Sequence, residues 1–368
     1  MQPTRQTPSA TAAISGGGGA SAGAIETDAL VIGAGPVGLF QVFQLGLQDL
    51  RCHVVDVLSQ PGGQCAELYP AKPIYDIPAL PVCSGTELVE RLLQQVAPFD
   101  PVLHLGQEVE SLAPRADGRF DIGTSAGTQF IARAVFIAAG VGAFSPRRLK
   151  LPGLDTLAAS CVSHQAPDVS ACQGQTVLVH GGDDRALDWA CRLAEHGVAV
   201  SLLYRRDVYP AAPEQVRRLE LLASQGRVTR RVGQPTQARA DAAGQLTGVD
   251  HLDPSGQTHH EPATRLFVSL GLSPRLGPLS SWGLQMERKL LDVEPSRFET
   301  SLPGVYAVGD INSYPGKLKL IVCGFHEATL AAWAAAHRLR PDAPHHLEYT
   351  TSSARLQRLL GVLPRGAE

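Results

Sequence analysis

Ala29-Leu30-Val31-Ile32-Gly33-Ala34-Gly35-Pro36-Val37-Gly38 is the stretch that decides the fold. Its apolar run reads as a strand buried on both faces, and residues 36–49 read as a helix opened by proline. Gly33 lets the chain turn tightly, Gly35 lets the backbone approach a diphosphate, and Gly38 lets the helix settle on the strand. The N–H groups of the helix end then face an anion. A second strand, Cys52-His53-Val54-Val55-Asp56, ends in a carboxylate about twenty residues further on, where an adenosine ribose presents its hydroxyls.

Such turns also occur wherever a helix packs closely on a strand, so a distant segment carries the next step. Tyr306-Ala307-Val308-Gly309-Asp310-Ile311 is an apolar strand ending in Gly-Asp. In two-dinucleotide flavoproteins a carboxylate so placed lies beside the ribityl chain. Taken alone it reads equally well as a strand followed by a turn aspartate; paired with the first glycine turn it favours FAD over NAD as the first ligand.

The strand, glycine turn and helix occur a second time. Ala134–Gly140 is a further buried strand, after which Gln175–His180 reads as a strand, Gly181-Gly182 as a turn and Ala186–Glu195 as a helix. The next strand, Val198–Leu203, runs into Tyr204-Arg205-Arg206-Asp207. Arginines at the place Asp56 holds in the first copy exchange recognition of ribose hydroxyls for recognition of a 2′-phosphate, which favours NADP. The competing reading makes them a solvated strand end. A helix over Pro213–Ser224, a polar hairpin region around Asp241–His260 and a strand at Arg265–Leu270 follow, the last read as the return to the first domain.

The predicted fold class is α/β, with an NADP-binding Rossmann-like domain over residues 146–265 inserted into a discontinuous FAD-binding Rossmann-like domain over 27–145 and 266–368. Residues 1–26, with Gly16-Gly17-Gly18-Gly19 among Ala, Ser and Thr, have too little apolar surface to order themselves and read as a flexible leader without the apolar core of a signal peptide.

Bulk composition narrows the function classes. In 368 residues, 44% hydrophobic and 18% charged content is globular, and a net charge of −3 offers no global attraction to nucleic acid or anionic membrane. No apolar run reaches membrane-spanning length, so a cytoplasmic location is expected. Cys52, Cys65, Cys83, Cys161, Cys172, Cys191 and Cys323 are scattered, odd in number and contain no Cys-x-x-Cys pair, which disfavours a disulfide framework or a zinc ribbon. Cys65, next to Gly62-Gly63-Gln64, is the one near the expected flavin. The pairs His259-His260 and His345-His346 lack the spacing of ligands on one face, so no metal is expected.

The segments GAGPVGLF from Gly33, PGGQCAELYPAKPIYD from Pro61, GAFSPR from Gly142, YRRD from Tyr204, YAVGDINSYPGKLKL from Tyr306 and LEYTTSS from Leu347 together resemble the thioredoxin-reductase-like ferredoxin–NADP⁺ reductases, type 2, from Asp28 to Val362. The resemblance implies FAD contacts from Val37, Asp56, Gln64, Tyr69, Val109, Phe144, Asp310 and Thr351. Asp56 would hold the adenosine ribose, Asp310 the ribityl chain, and Tyr69 would stack on one face of the isoalloxazine. Tyr349 would cover the other face, from the partner subunit of a homodimer. No side chain is needed as general base or nucleophile, because hydride passes from NADPH to flavin N5 and the electrons leave to a one-electron carrier, ferredoxin or flavodoxin. A helix over Leu320–Leu339 would turn its N-terminus to the flavin, with Lys317 and Lys319 adding charge there. A basic docking face for the carrier is sought among these lysines, Arg147, Arg148, Lys150, Arg355 and Arg358.

One departure from the family pattern stands out. The family has Gly-Gly-Gly-Asp-Ser-Ala in its second turn, whereas this chain has Gly181-Gly182-Asp183-Asp184-Arg185-Ala186. A carboxylate at ~4 Å from a phosphate charge is opposed by roughly 4 kcal/mol at an effective dielectric near ~20. Arg185 is placed to offset this by pairing with Asp183 or the phosphates. Asp183 thus motivates one alternative to the reductase, a flavin-binding sensor or scaffold with impaired NADPH use; a second is an NAD(P)H oxidoreductase of the same fold with another acceptor.

Overall fold

The computed structural model describes residues 23–70, 72–344 and 348–363, with the side chains of 143–146 and 272–274 left out. Most of the leader assigned to residues 1–26 lies outside the described residues. Its last part does not: Ile25 and Glu26 open the first strand, Ile25–Ile32, paired with Phe130 and Ile131. The chain divides into two compact units, residues 1–142 with 276–368, and residues 143–275.

The first unit is built on a sheet in the order Val102–Leu105, Cys52–Asp56, Ile25–Ile32, Gln129–Ile137, Phe120–Thr124, Val109–Pro114, with Val305–Ala307 also paired to Gln129–Ile137. The central pairs are parallel, including the one between Val305–Ala307 and Val135–Ile137, and the last two strands join antiparallel. Ala29, Leu30, Val31, Val135 and Phe136 have no exposed surface, which is why these strands read as unbroken apolar runs. The helix Pro36–Leu47 covers one face and meets the helix Ile321–Leu339 through Val42, Leu45, Ala331, Ala332 and Ala335, where alanines permit close approach. Arg133 binds Asp28 at 2.9 Å and the Leu339 carbonyl at 2.9 Å, tying the end of that last helix back to the first strand.

The second unit has its own parallel sheet in the order Val162–Ser163, Arg265–Ser269, Thr176–Gly181, Ala199–Tyr204, Val228–Val232. The helix Asp184–Glu195 packs Leu187, Ala190 and Ala194 against it, and an antiparallel sheet of Gln234–Ala240, Leu246–Leu252 and Thr258–Pro262 makes the hairpin region. The strand at Arg265 corrects the sequence reading. It lies between Val162–Ser163 and Thr176–Gly181 in the second sheet, with Leu266 and Val268 fully buried there, so the chain leaves this unit at Arg275 and not at residue 265. An apolar run shows that it must be buried, and not which of two parallel sheets buries it.

Candidate functional site: two glycine turns and a buried charge pair

In the first turn the geometry requires glycine at two positions. Gly33 has φ of +109°, and a Cβ there would lie 2.4 Å from the Ala138 carbonyl oxygen. A Cβ on Gly38 would lie 1.9 Å from the Gly33 oxygen, so helix and turn touch backbone to backbone. Gly35 differs. It is the N-cap of Pro36–Leu47 at φ −71° and ψ 179°, and the nearest atom to an added Cβ is 3.8 Å away, so packing does not demand its glycine. What the missing Cβ keeps open is the space in front of a helix end that has no side-chain cap and no acidic residue in its first turn. That is a cradle for an anion.

Asp56 stands at the end of the second strand, 8% exposed. Its Oδ2 accepts from the Ala34 N–H at 2.6 Å and its Oδ1 from the Leu58 N–H at 2.8 Å. Burial pushes its pKa up and the two backbone donors pull it back. The carboxylate thus fixes the turn from behind, and each oxygen keeps a lone pair for a ribose hydroxyl.

Asp310 comes to the same place from the far end of the chain. Its Oδ2 is 3.5 Å from the Gln64 Nε2, and Gln64 sits on the short helix Gly63–Glu67 whose first residue faces Gly35. Val37 completes the junction: its side chain lies 3.4 Å from where a Gly309 Cβ would be and 2.4 Å from where a Gly324 Cβ would be. Gly33, Gly35, Val37, Gly38, Asp56, Gln64 and Asp310, spread between residues 33 and 310, therefore form one constellation.

Behind Asp310 lies a network that the sequence reading missed. Glu327 is wholly buried and accepts from the Gly309 N–H at 2.7 Å, from Asn312 Nδ2 at 2.8 Å, from the Tyr314 hydroxyl at 3.0 Å and from Lys317 Nζ. Lys317 also donates to the Gly309 carbonyl at 2.9 Å. Burial, then Glu327, raise the Tyr314 pKa, keeping its hydroxyl a donor. Lys317 is 8% exposed and neutralised, so it is not the solvated loop cation expected near the flavin or on a docking face. The available signal was Glu327 itself, the one acidic residue in Ile321–Leu339.

The second turn repeats the first with a different filling. A Cβ on Gly181 would lie 2.2 Å from the Ser269 oxygen, and one on Gly182 would lie 2.6 Å from the Tyr204 ring. Asp183 is the N-cap of Asp184–Glu195 at φ −81° and ψ 173°, the backbone conformation Gly35 has in the first turn. Its Oδ1 accepts from the Ala186 N–H at 2.9 Å and from the Ser269 hydroxyl at 2.8 Å. Arg185 places its guanidinium 5.5 Å from the Trp189 ring. Arg205 and Arg206 are exposed beyond Tyr204, and neither is held in an ion pair among the described residues.

A family described as pyridine nucleotide-disulphide oxidoreductase matches residues 69–309. A ferredoxin–NADP reductase of Acidovorax sp. (strain JS42) is 54% identical over 343 residues, 92% of this chain and 96% of its own. A ferredoxin–NADP reductase 2 of Cupriavidus metallidurans (strain ATCC 43123 / DSM 2839 / NBRC 102507 / CH34) is 48% identical over 355 residues, 96% of each. The chain belongs to the ferredoxin–NADP reductase family. Its fold is also that of the T. acidophilum thioredoxin reductase, at TM-score 0.59 and 23% identity over 85% of this chain and 99% of that one.

Other residues expected at the site of this reductase-family chain are placed as follows. Tyr69 is partly buried beside a cavity of about 370 Å³ lined by Tyr75, Pro73 and Ile321, and burial pushes its pKa up to about 12. Burial likewise pushes the Cys65 thiol up to about 11, so it is held protonated and is no ready nucleophile. Val109 begins the outermost antiparallel strand with its side chain buried. Phe144 lies on the strand Ala143–Pro146, and its side chain is outside the described residues. Tyr349 and Thr351 are exposed, and among the described residues no hydrogen bond or ring contact joins them to the glycine turn or Asp310. Their segment is anchored elsewhere: Arg355 binds the Gly46 carbonyl at 2.7 Å and Asp49 at 2.6 Å, at the opposite end of the helix that Gly35 begins. Arg355 is thus a paired surface cation, its side chain still 40% exposed, and Arg147, Arg148, Lys150, Lys319 and Arg358 are exposed.

Proposed function

We propose that the protein is an FAD-dependent, NADPH-oxidising reductase of a one-electron carrier, ferredoxin or flavodoxin. The observation that carries this reading is the meeting of the uncapped helix end at Gly35 with Asp56 and, through Gln64, with Asp310. Four separate segments converge on one cradle that favours a diphosphate, a ribose and a polyol chain together. Relatives named ferredoxin–NADP reductase support the carrier and the pyridine nucleotide.

When bound, FAD would supply the redox chemistry that links a hydride donor to a one-electron carrier. The chain's own residues bind and orient. The glycine turn receives the diphosphate, Asp56 holds the adenosine ribose while bracing Ala34, and Asp310 orients the ribityl chain from a turn gripped by Glu327 and Lys317. Tyr69 supplies an aromatic face for the isoalloxazine. Arg205 and Arg206, next to the Tyr204 ring that lies on Gly182, take the 2′-phosphate of NADP.

The direct test is anaerobic stopped-flow. NADPH is expected to bleach the flavin faster than NADH, and reduced protein is expected to pass electrons to added ferredoxin or flavodoxin. Replacing Arg205 and Arg206 by Ala removes two charge-assisted contacts of ~1.5–3 kcal/mol each, so the NADPH preference should shrink by at least about tenfold. An unchanged ratio would make them a solvated strand end. Failure of both nucleotides to reduce the flavin would overturn the reductase reading in favour of a flavin-binding sensor or scaffold.

A homodimer accounts for the position of Tyr349 and Thr351, which would complete the flavin site of the partner subunit. Light scattering on the flavin-loaded protein should give twice the chain mass of 39.0 kDa, and a monomer would rule this out. The cytoplasm is the proposed location. No helix among the described residues is long and apolar enough to cross a membrane, and seven unpaired cysteines suit a reducing compartment.

A further inference from the structure

The two turns of this chain form an internal comparison. Gly35 and Asp183 occupy the same N-cap position with the same extended backbone, each at the start of a twelve-residue helix. At Gly35 the helix end is bare. At Asp183 a carboxylate already sits there, bonded to the Ala186 N–H of the first helical turn and to the buried Ser269 hydroxyl. A helix N-terminus attracts one anion well, and here the protein supplies it. The adenosine end of NADP fits, because Arg205 and Arg206 are exposed cations without ion-pair partners among the described residues and the Tyr204 ring beside them lies on Gly182. The diphosphate does not fit at the helix end as it stands.

We propose that Asp183 is a built-in competitor for the dinucleotide diphosphate. Its carboxylate holds the helix end, so that pyridine nucleotide is retained chiefly by its 2′-phosphate on Arg205 and Arg206, and the diphosphate gains the helix end only by displacing Asp183 from Ala186 and Ser269. The inference rests on the NADPH-dependent reading above and adds to it a discrimination: the site selects the 2′-phosphate strongly and the diphosphate weakly. The nucleotide is then held loosely enough to leave quickly after giving up its hydride.

Calorimetric titration of the flavin-loaded protein with NADP⁺ and with adenosine 2′-monophosphate, which lacks the diphosphate, tests this without any catalytic step. The wild-type protein is expected to bind NADP⁺ no more than about tenfold more tightly than adenosine 2′-monophosphate. Asp183→Gly should tighten NADP⁺ by about tenfold or more while leaving adenosine 2′-monophosphate unchanged; glycine is itself an accepted N-cap, so the helix survives. Asp183→Asn keeps a capping oxygen and removes the charge, and should fall between the two. Wild-type preference for NADP⁺ by a hundredfold or more, or no gain in Asp183→Gly, overturns the competitor and leaves the reductase reading intact. Adenosine 2′-monophosphate failing to bind any of the three proteins overturns both.

Discussion

Replacing Lys317 by Met is expected to destabilise the protein by about 3–5 kcal/mol and to loosen FAD, although the residue lies in a loop that reads as solvated. The pair it forms with Glu327 is buried on both sides, at 8% and 0% exposure. Removing the cation leaves Glu327 an uncompensated buried carboxylate, the costly way to break such a pair. Asn312, Tyr314 and the Gly309 N–H still donate to it, which places the expected loss toward the lower end of that range. The flavin effect has a separate cause. Lys317 and Glu327 hold the carbonyl and the N–H of Gly309, so losing one frees the turn that presents Asp310. Denaturant unfolding of the apoprotein measures the first effect, and the FAD remaining after gel filtration measures the second. Adding Glu327→Gln to Lys317→Met removes the stranded charge and should restore a large part of the stability. A single Lys317→Met variant within about 1 kcal/mol of wild type would show the pair to be no more than a surface contact in its energetics.

Gly38→Ala is expected to be the most damaging change in the first turn, and Gly35→Ala to separate folding from binding. The added Cβ at residue 38 meets the Gly33 oxygen at 1.9 Å and its carbonyl carbon at 2.9 Å. Both are backbone atoms, so no side chain can swing away, and overpacking of this kind costs about 1–3 kcal/mol. The helix must back off the turn, carrying its N–H donors with it, and FAD retention should fall tenfold for each ~1.4 kcal/mol of diphosphate binding lost. At residue 35 the Cβ has room in the protein, its nearest neighbour being 3.8 Å away, and φ is −71°. Apoprotein stability should therefore change little while FAD is shut out by a filled cradle. If Gly35→Ala keeps FAD at wild-type occupancy, the turn is not where the diphosphate is received.

Much of this organisation is legible before any coordinates, for a reason of scale. The paired strand, turn and helix units over Ile25–Leu47 and Thr176–Glu195 are specified by apolar runs, by glycines that only a tight turn needs, and by helix starts, all within about twenty residues. The family follows from motifs that are shorter still, and the relatives agree with it. The candidate residues of the first turn, Asp56 and Asp310 were visible because each lies at or just beyond the end of a strand whose direction is already implied.

What the tertiary structure alone decided concerns partners far apart in sequence, or side chains with two plausible directions. The strand Arg265–Ser269 is apolar whichever sheet it joins, and only pairing with Val162–Ser163 and Thr176–Gly181 assigns it to the inserted unit. Arg355 reads as an unpaired surface cation until the C-terminal segment places it on the Gly46 carbonyl and Asp49. Lys317 reads the same way until the fold closes Glu327 beneath it, because a lysine in a polar loop carries no local sign of burial. Asp183 was recognisable as the wrong residue for a diphosphate turn, but its bond to Ser269, 86 positions away, required both strands in place. Short-range chemistry determined the units and the cofactor class; the competition for burial and for hydrogen-bond partners across the chain settled which charges are spoken for, and that competition has no local signature in sequence.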